Sequence, residues 1–213
     1  MMRNLGFIDA KKILRKYKLP FPSSELAKSE SEVCKIADKM RYPVVLKIDS
    51  PDIIHKSDVG GVIVDLKSKE EIETAYCKII KNIKNAKING VVVQKMERGT
   101  AVIIGMKRDA QFGPVLMFGL GGIFVEIMKD VSFRIAPIDK NEAMEMIKEI
   151  KGYEVLKGAR GSEKANINAI ADIILKLSKL AIKEKNIVEL DFNPVIVNKK
   201  TAKIVDARFI AGK

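Results

Sequence analysis

Between residues 90 and 138 the chain is a succession of short apolar segments punctuated by glycine: GVVVQKM, AVIIGMKRD, GPVLMFG, IFVEIMK and SFRIAPI. Their β-branched residues suit a pleated surface, so this middle region is expected to be a run of strands. Helical spacing flanks it. A helix is expected over about residues 7–17, stopped by Pro20 and Pro22, and a second within SSELAKSESEVCKIADKMRYP. In that second segment Ser29 and Glu32 stand at capping-box spacing, Val33, Ile36, Ala37 and Met40 form one apolar face, and Pro43 ends the helix. VVLKI then reads as a strand, Gly60 and Gly61 turn the chain into the strand VIVDL, and a helix follows over about 68–84. Helices over about 140–150 and 165–185 precede two final strands, IVELDFNPVIV and TAKIVDARFI, joined by a turn at Asn198 to Lys200. Hairpin-like runs mixed with helices define an α+β class in two lobes, with no internal repeat and no low-complexity linker.

A chain of 213 residues that is 47% apolar can bury a substantial core. No apolar run approaches the roughly 18 residues that span a bilayer, and the start MMRNLGFIDAKKILRKYKLPFP has no signal-peptide pattern, so a cytoplasmic protein without a membrane partner is expected. Cys34 and Cys77 lie on helical segments, as buried reduced thiols do. Lysine and arginine exceed aspartate and glutamate by 39 to 27, a formal charge of +12, which favours an anionic partner. In KIIKNIKNAK and LKLSKLAIKEK, however, the lysines recur as on solvated helix faces, and with four tyrosines and no tryptophan there is little for base stacking. Nucleic acid is not the expected partner.

Three places carry candidate chemistry. In FGLGGIFVE, Gly119, Gly121 and Gly122 either make a tight strand connection or expose backbone N–H groups to a phosphate. The segment is neither a P-loop nor a dinucleotide fingerprint. In ELDFNPVIV, Glu189, Asp191 and Asn193 alternate onto one strand face, and if the last two strands pair, Asp206 can fall near Asn193. Two such oxygen donors suit Mg²⁺ completed by phosphate and water, and they equally suit a solvated face with a salt bridge. His55, the only histidine, lies in IDSPDIIHKSDVGGVIVDL between two isoleucines and Lys56, Ser57 and Asp58, where a half-buried structural role is the simple reading. Lys47 ends the strand VVLK as a lysine directed at an anion would, and Arg108, Asp109 and Arg134 add charges at strand ends.

Taken together, VVLKIDSPDIIHKSDVGGV, GMKRDAQFGPVLMFGLGGIFVEIMKDVSFRIAPI and ELDFNPVIV resemble the ATP-grasp subunit of ADP-forming acyl-CoA synthetases, with acetyl-CoA the usual substrate. They are more distantly similar to the nucleotide-binding subunit of succinyl-CoA synthetase. The resemblance runs from about residue 20 to the end. It implies an ATP-grasp fold, with ATP or ADP held between two lobes: an N-terminal helical segment at 1–22, a lobe over 23–93 that carries the histidine, and a lobe over 94–213 with a metal-binding hairpin. It also implies a CoA- and acyl-binding alpha subunit in an α2β2 heterotetramer. By the same resemblance His55 becomes a transient phosphohistidine, with Asp191 its acidic neighbour. Lys47 and Arg108 serve the phosphates, as do Gly119, Gly121 and Gly122, while Gln94, Lys95 and Met96 line the adenine pocket and Asn193 and Asp206 hold Mg²⁺.

The chemistry is consistent with those roles. A neutral imidazole can attack phosphorus to give a good phosphoryl donor, and lysine, Mg²⁺ and glycine N–H groups neutralise the moving charge. Gly60 and Gly61, beside Pro51, read as a hinge pair for a moving segment. One position departs from the family: Ala101 stands where a glutamate is usual, so ribose recognition is altered or falls to Glu97. Two rival readings remain at this point, another acid–CoA ligase subunit such as that of succinyl-CoA synthetase, and a non-catalytic nucleotide-binding protein.

Overall fold

The structure is a computed structural model that describes residues 2–53, 55–83, 86–122, 129–159 and 163–212. It divides into two compact units, one of residues 6–11 and 22–96, the other of residues 1–5, 12–21 and 97–213. The smaller unit is a four-stranded antiparallel sheet. Its strands are β2 (Ser24–Ala27), β3 (Val44–Asp49), β4 (Val62–Leu66) and β5 (Gly90–Lys95), in the order β2-β5-β3-β4. Two helices, α2 (Glu30–Met40) and α3 (Lys69–Asn82), cover one face. Val33, Ala37, Ile72 and Ile79 from the helices meet Val44, Leu46, Ile48, Val91 and Val93 from the sheet, all fully or almost fully buried. Each helix starts on a serine whose hydroxyl accepts a backbone N–H three residues on, Ser29 from Glu32 and Ser68 from Glu71.

The larger unit is a seven-stranded antiparallel sheet of β1 (Arg3–Asn4), β6 (Thr100–Asp109), β7 (Gly113–Leu120), β8 (Val131–Ile135), β9 (Ile187–Val197), β10 (Ala202–Ile204) and β11 (Ala207–Ala211). The order is β1-β11-β9-β6-β7-β8, with β10 also on β9. Helices α4 (Lys140–Glu149) and α6 (Ile167–Lys183), with the short α5 (Tyr153–Leu156) between them, bury Met146, Ile147, Ile170, Ile174 and Leu177 with Val102, Ile104, Leu116 and Phe118 of the sheet. The α1 helix (Phe7–Lys16) completes the set. Asp139 caps α4 in a reciprocal box with Glu142.

Four expectations are corrected. Ser24–Ala27, read as part of the second helix, is strand β2, because it pairs with Val91–Gln94 of β5. The final strand TAKIVDARFI is two strands: at Val205 and Asp206 the chain leaves the ladder and both N–H groups turn to the Pro194 carbonyl. Arg3–Asn4 is a strand on β11 rather than part of a helical segment. Cys34 is buried as expected, but Cys77 is exposed, on the outer side of α3. The strand read in IFVEIMK falls mostly on residues 123–128, which lie outside the described residues. No described helix is long and apolar enough to cross a membrane.

Candidate active site

In the smaller unit the pleat of β3 sends Val44, Leu46 and Ile48 into the core and Val45, Lys47 and Asp49 to the opposite face. Lys47 is only 8% exposed. Its neighbour across β5 is Val92, and Gln94 faces Val45, so Lys47 and Gln94 share that face. Lys95 does not. Its ammonium donates to the Arg41 and Tyr42 carbonyls at 2.5 and 3.1 Å, satisfying acceptors at the end of α2. The Met96 N–H donates to Pro43. Asp49, although on the Lys47 face, accepts from the Phe7 N–H and the Asn89 amide and is structural.

His55 is exposed in the connection between β3 and β4. Both flanks of the connection are pinned. On one side Ser50 Oγ donates to the Lys87 carbonyl, Asp52 accepts from the Lys87 N–H at 2.7 Å, and Ile53 packs on the core. On the other, the Gly61 N–H donates to Lys56 at 2.7 Å and the Ile48 N–H to Gly61 at 2.8 Å. A Cβ on Gly61 would lie 2.7 Å from Ile48 Cγ2 and 2.9 Å from the Lys56 carbonyl oxygen, so only glycine admits this closure. The histidine is thereby presented from a short arch held at two feet.

In the larger unit three strands bring the motifs abreast. Ile103 of β6 pairs with Gly119 of β7, and on its other side β9 bulges so that Asn193 and Pro194 fill the irregular register between Val102 and Ile104. Asn193 is exposed. Because Val205 and Asp206 donate to the Pro194 carbonyl, Asp206 lies next to Asn193, as the hairpin spacing predicted. The pair is one carboxylate and one amide oxygen. Among the described residues no group of three or more histidine, cysteine, aspartate and glutamate side chains could hold a metal ion, so such an ion would need other donors. Mg²⁺, which takes one or two carboxylates and completes its shell with water and phosphate, fits this donor set.

The glycine run doubles back on β6: the Gly121 N–H donates to the Ala101 carbonyl at 3.0 Å, and a Cβ on Gly121 would sit 3.3 Å from the Ala101 methyl. Gly122 has φ +68°, and among the described residues no atom lies within 4 Å of where its Cβ would be. Two small residues, Gly121 and Ala101, thus allow the close approach of the two strands. Glu97, the expected substitute, accepts from Lys203 Nζ at 2.7 Å, with 13% of its side chain exposed. Arg108 lies apart from this group, since its Nη2 donates to the Ala181 carbonyl at 2.8 Å and to that of Glu184 at 3.4 Å, at the end of α6.

A feature that sequence spacing alone did not reveal is a cavity of about 580 Å³ on the sheet face away from the helices. Gly105, Lys107, Met117, Phe133, Asp191 and Arg208 are among the residues that line it. Its signal in the sequence is slight: a glycine inside the strand AVIIGMKRD.

A model of the ATP-grasp domain matches residues 2–210. The beta subunit of acetate–CoA ligase (ADP-forming) I from Pyrococcus furiosus is 51% identical over 207 residues, covering 95% of this chain and 89% of that one. The chain belongs to the ATP-grasp family, among the beta subunits of ADP-forming acid–CoA ligases. Among solved structures, the acetyl-coenzyme A synthetase 1 of Ca. Korarchaeum cryptofilum, in complex with coenzyme A and Ca-AMPCP, superposes with a TM-score of 0.95 at 46% identity, covering 99% of this chain and 94% of that one. Another structure of that protein, with coenzyme A and Mg-AMPPCP and its phosphohistidine segment pointing towards the nucleotide binding site, gives a TM-score of 0.86 at 43% identity over 99% and 93% of the two chains. The ATP-grasp fold and membership of a ligase family therefore stand.

Proposed function

We propose that this ligase chain is the nucleotide-binding subunit of an ADP-forming acetyl-CoA synthetase, and that His55 relays the phosphate. With a CoA- and acyl-binding alpha subunit, as an α2β2 heterotetramer, it interconverts acyl-CoA, ADP and phosphate with the acid, CoA and ATP. The observation that carries the relay is the placement of His55, an exposed imidazole on an arch whose feet are pinned by Asp52 and by the Gly61 closure. A structural histidine would be buried or bonded into its surroundings, whereas a phosphate carrier has to be accessible to two sites. The phosphohistidine segment of the Korarchaeum synthetase supports the same reading.

In the ATP-forming direction reversed, one ring nitrogen of His55 attacks the γ-phosphorus. The N–P bond forms as the bond to the β,γ-bridging oxygen breaks, and ADP departs with that electron pair. The other ring nitrogen keeps its proton, for which Asp191 is the acceptor. Lys47 and the N–H groups at Gly119, Gly121 and Gly122 offset phosphate charge, and Gln94 and Met96 contact the base. Asn193 and Asp206 would hold Mg²⁺, which when bound neutralises phosphate charge. Lys95, which donates to the Arg41 and Tyr42 carbonyls, and Arg108, which donates to the Ala181 carbonyl, are assigned no contact with the nucleotide.

The test is incubation of the chain with Mg²⁺ and ATP labelled in its γ-phosphate, beside His55→Ala, with and without the alpha subunit. Label that withstands base, is released by acid and is missing from the variant is the expected result. Equal labelling of the two proteins, or no label on either in the complete complex while ATP binds, overturns the relay.

A further inference from the structure

On the face of the small sheet away from α2 and α3, the register of β2 against β5 sets Ser24 directly opposite Gln94, and β3 sets Val45 on the other side of Gln94. Residues directly opposite in an antiparallel pair share a face, with their Cβ atoms about 5 Å apart. One step along, Leu26, Val92 and Lys47 form the next rung of the same face. Ser24 is only 3% exposed, and among the described residues its hydroxyl has no hydrogen-bond partner. The strand around it is held firmly: the Lys11 ammonium donates to the Ser24 carbonyl, and the Lys95 N–H donates to that of Ser23 at 2.9 Å. The hydroxyl is therefore fixed in place, buried and unpaired.

A buried hydroxyl without a partner costs stability, because it has given up water and gained nothing in exchange. Alanine would fill the same strand position without that cost. A group of this kind is expected where a ligand completes it. The surroundings suit a purine, with Val45 and Val92 as apolar ground for a flat ring and two polar side chains on one rung for its edge. We propose that Ser24 is a specificity-determining residue for the nucleotide base: its oxygen accepts a hydrogen bond from the exocyclic amino group of a 6-aminopurine, while its O–H donates to the Gln94 amide oxygen. This rests on the reading that Gln94 contacts the base. A hydroxyl can donate one bond and accept others, so both roles are open to it at once. A purine without the amino group leaves the acceptor unpaired in a buried place, and that penalty is what discriminates.

The experiment is calorimetric titration of the full chain, in the presence of Mg²⁺, with ADP and with purine riboside 5′-diphosphate, which lacks the 6-amino group. The proteins are the parent, Ser24→Ala and Gln94→Ala, and the Tm of each is measured without nucleotide. The parent should prefer ADP. Ser24→Ala should weaken ADP binding about tenfold, the worth of one hydrogen bond to a buried group, and leave the analogue within about twofold. Its Tm without nucleotide should equal or exceed that of the parent, because an unpaired polar group has gone. A purely structural hydroxyl gives the opposite pattern, a lower Tm with the preference for ADP intact, and that result overturns the assignment. Unchanged ADP affinity in Ser24→Ala, or equal weakening of ADP and the analogue, overturns it too, while the Gln94 reading stands if Gln94→Ala weakens ADP binding. ADP affinity unchanged in Gln94→Ala, or no binding by the parent, overturns the base contact and the Ser24 assignment with it.

Discussion

At the scale of single residues the site depends as much on missing side chains as on charged ones. Gly61 is the clearest case, because the Cβ it lacks would press on the Lys56 carbonyl, a backbone atom that cannot retreat without opening the turn. Gly61→Ala is expected to destabilise the protein by about 1–3 kcal/mol, as overpacking at a tight contact does. Urea unfolding would register this as a lower midpoint at constant slope. The same variant should also slow labelling of His55, because the foot of its arch has moved; full stability with unchanged labelling would show that the closure is dispensable. The residue-level motifs were partly readable in the chain. Asn193 and Asp206 could be paired from hairpin spacing, and they do lie together. The pairing of Ser24 with Gln94 could not, since it depends on the register of β2 against β5, which no local pattern specifies.

Elements are tied to one another by a few polar side chains at helix ends. Tyr17, just beyond α1, donates to Glu184 at the end of α6 at 2.7 Å, and Lys16 donates to the same carboxylate oxygen at 2.6 Å. Burial, then the bond to Glu184 and its charge, pushes the Tyr17 phenol up to about 12, while the bonds from Lys16 and from Tyr17 hold Glu184 below its usual value. The signs follow. Tyr17 contributes stability that is complete below its ordinary pKa of 10.0 and is lost as pH rises from there through about 12. The Glu184 contribution is present above 4.5 and is lost as pH falls from there through its lowered value. Glu184→Gln should bring Tyr17 ionisation down, seen as tyrosinate absorbance at lower pH, and cost about 1–2 kcal/mol at neutral pH as a charged acceptor is lost. An unchanged tyrosinate titration would mean that burial alone sets Tyr17. Element types follow the local code where it is strong: the β-branched runs became β5, β6 and β7, and the Ser29 and Ser68 caps start α2 and α3. The code fails for β2, whose sequence SELA has no β-branched residue and is a strand only because β5 offers it a ladder. It fails again at Val205 and Asp206, where one long apolar run is cut by a carbonyl from another strand.

For the whole molecule, the net charge of +12 attracts anions of many kinds and cannot alone select a nucleotide. Selection requires a site that exists only in the folded chain, and such a site is linked to stability. A ligand that binds only the folded state adds about 2.7 kcal/mol at one hundred times its dissociation constant. For a chain of this size that corresponds to a rise of about 5–10 °C in the unfolding midpoint. Mg²⁺ with ADP should therefore raise Tm by that amount in the parent and equally in His55→Ala, because His55 acts on a nucleotide already held. Replacing Asn193 and Asp206 together by alanine should reduce the shift to the value seen with ADP and a chelator, since the metal then has no protein donors. General attraction to a cationic surface predicts a different pattern, a shift that survives both substitutions and fades as salt screens it. A scan of Tm across the variants, with and without Mg²⁺ and at low and moderate ionic strength, separates the two. A Tm indifferent to Asn193 and Asp206 would remove the metal pair from the site, while loss of the shift in His55→Ala would make the histidine a binding residue instead of a carrier.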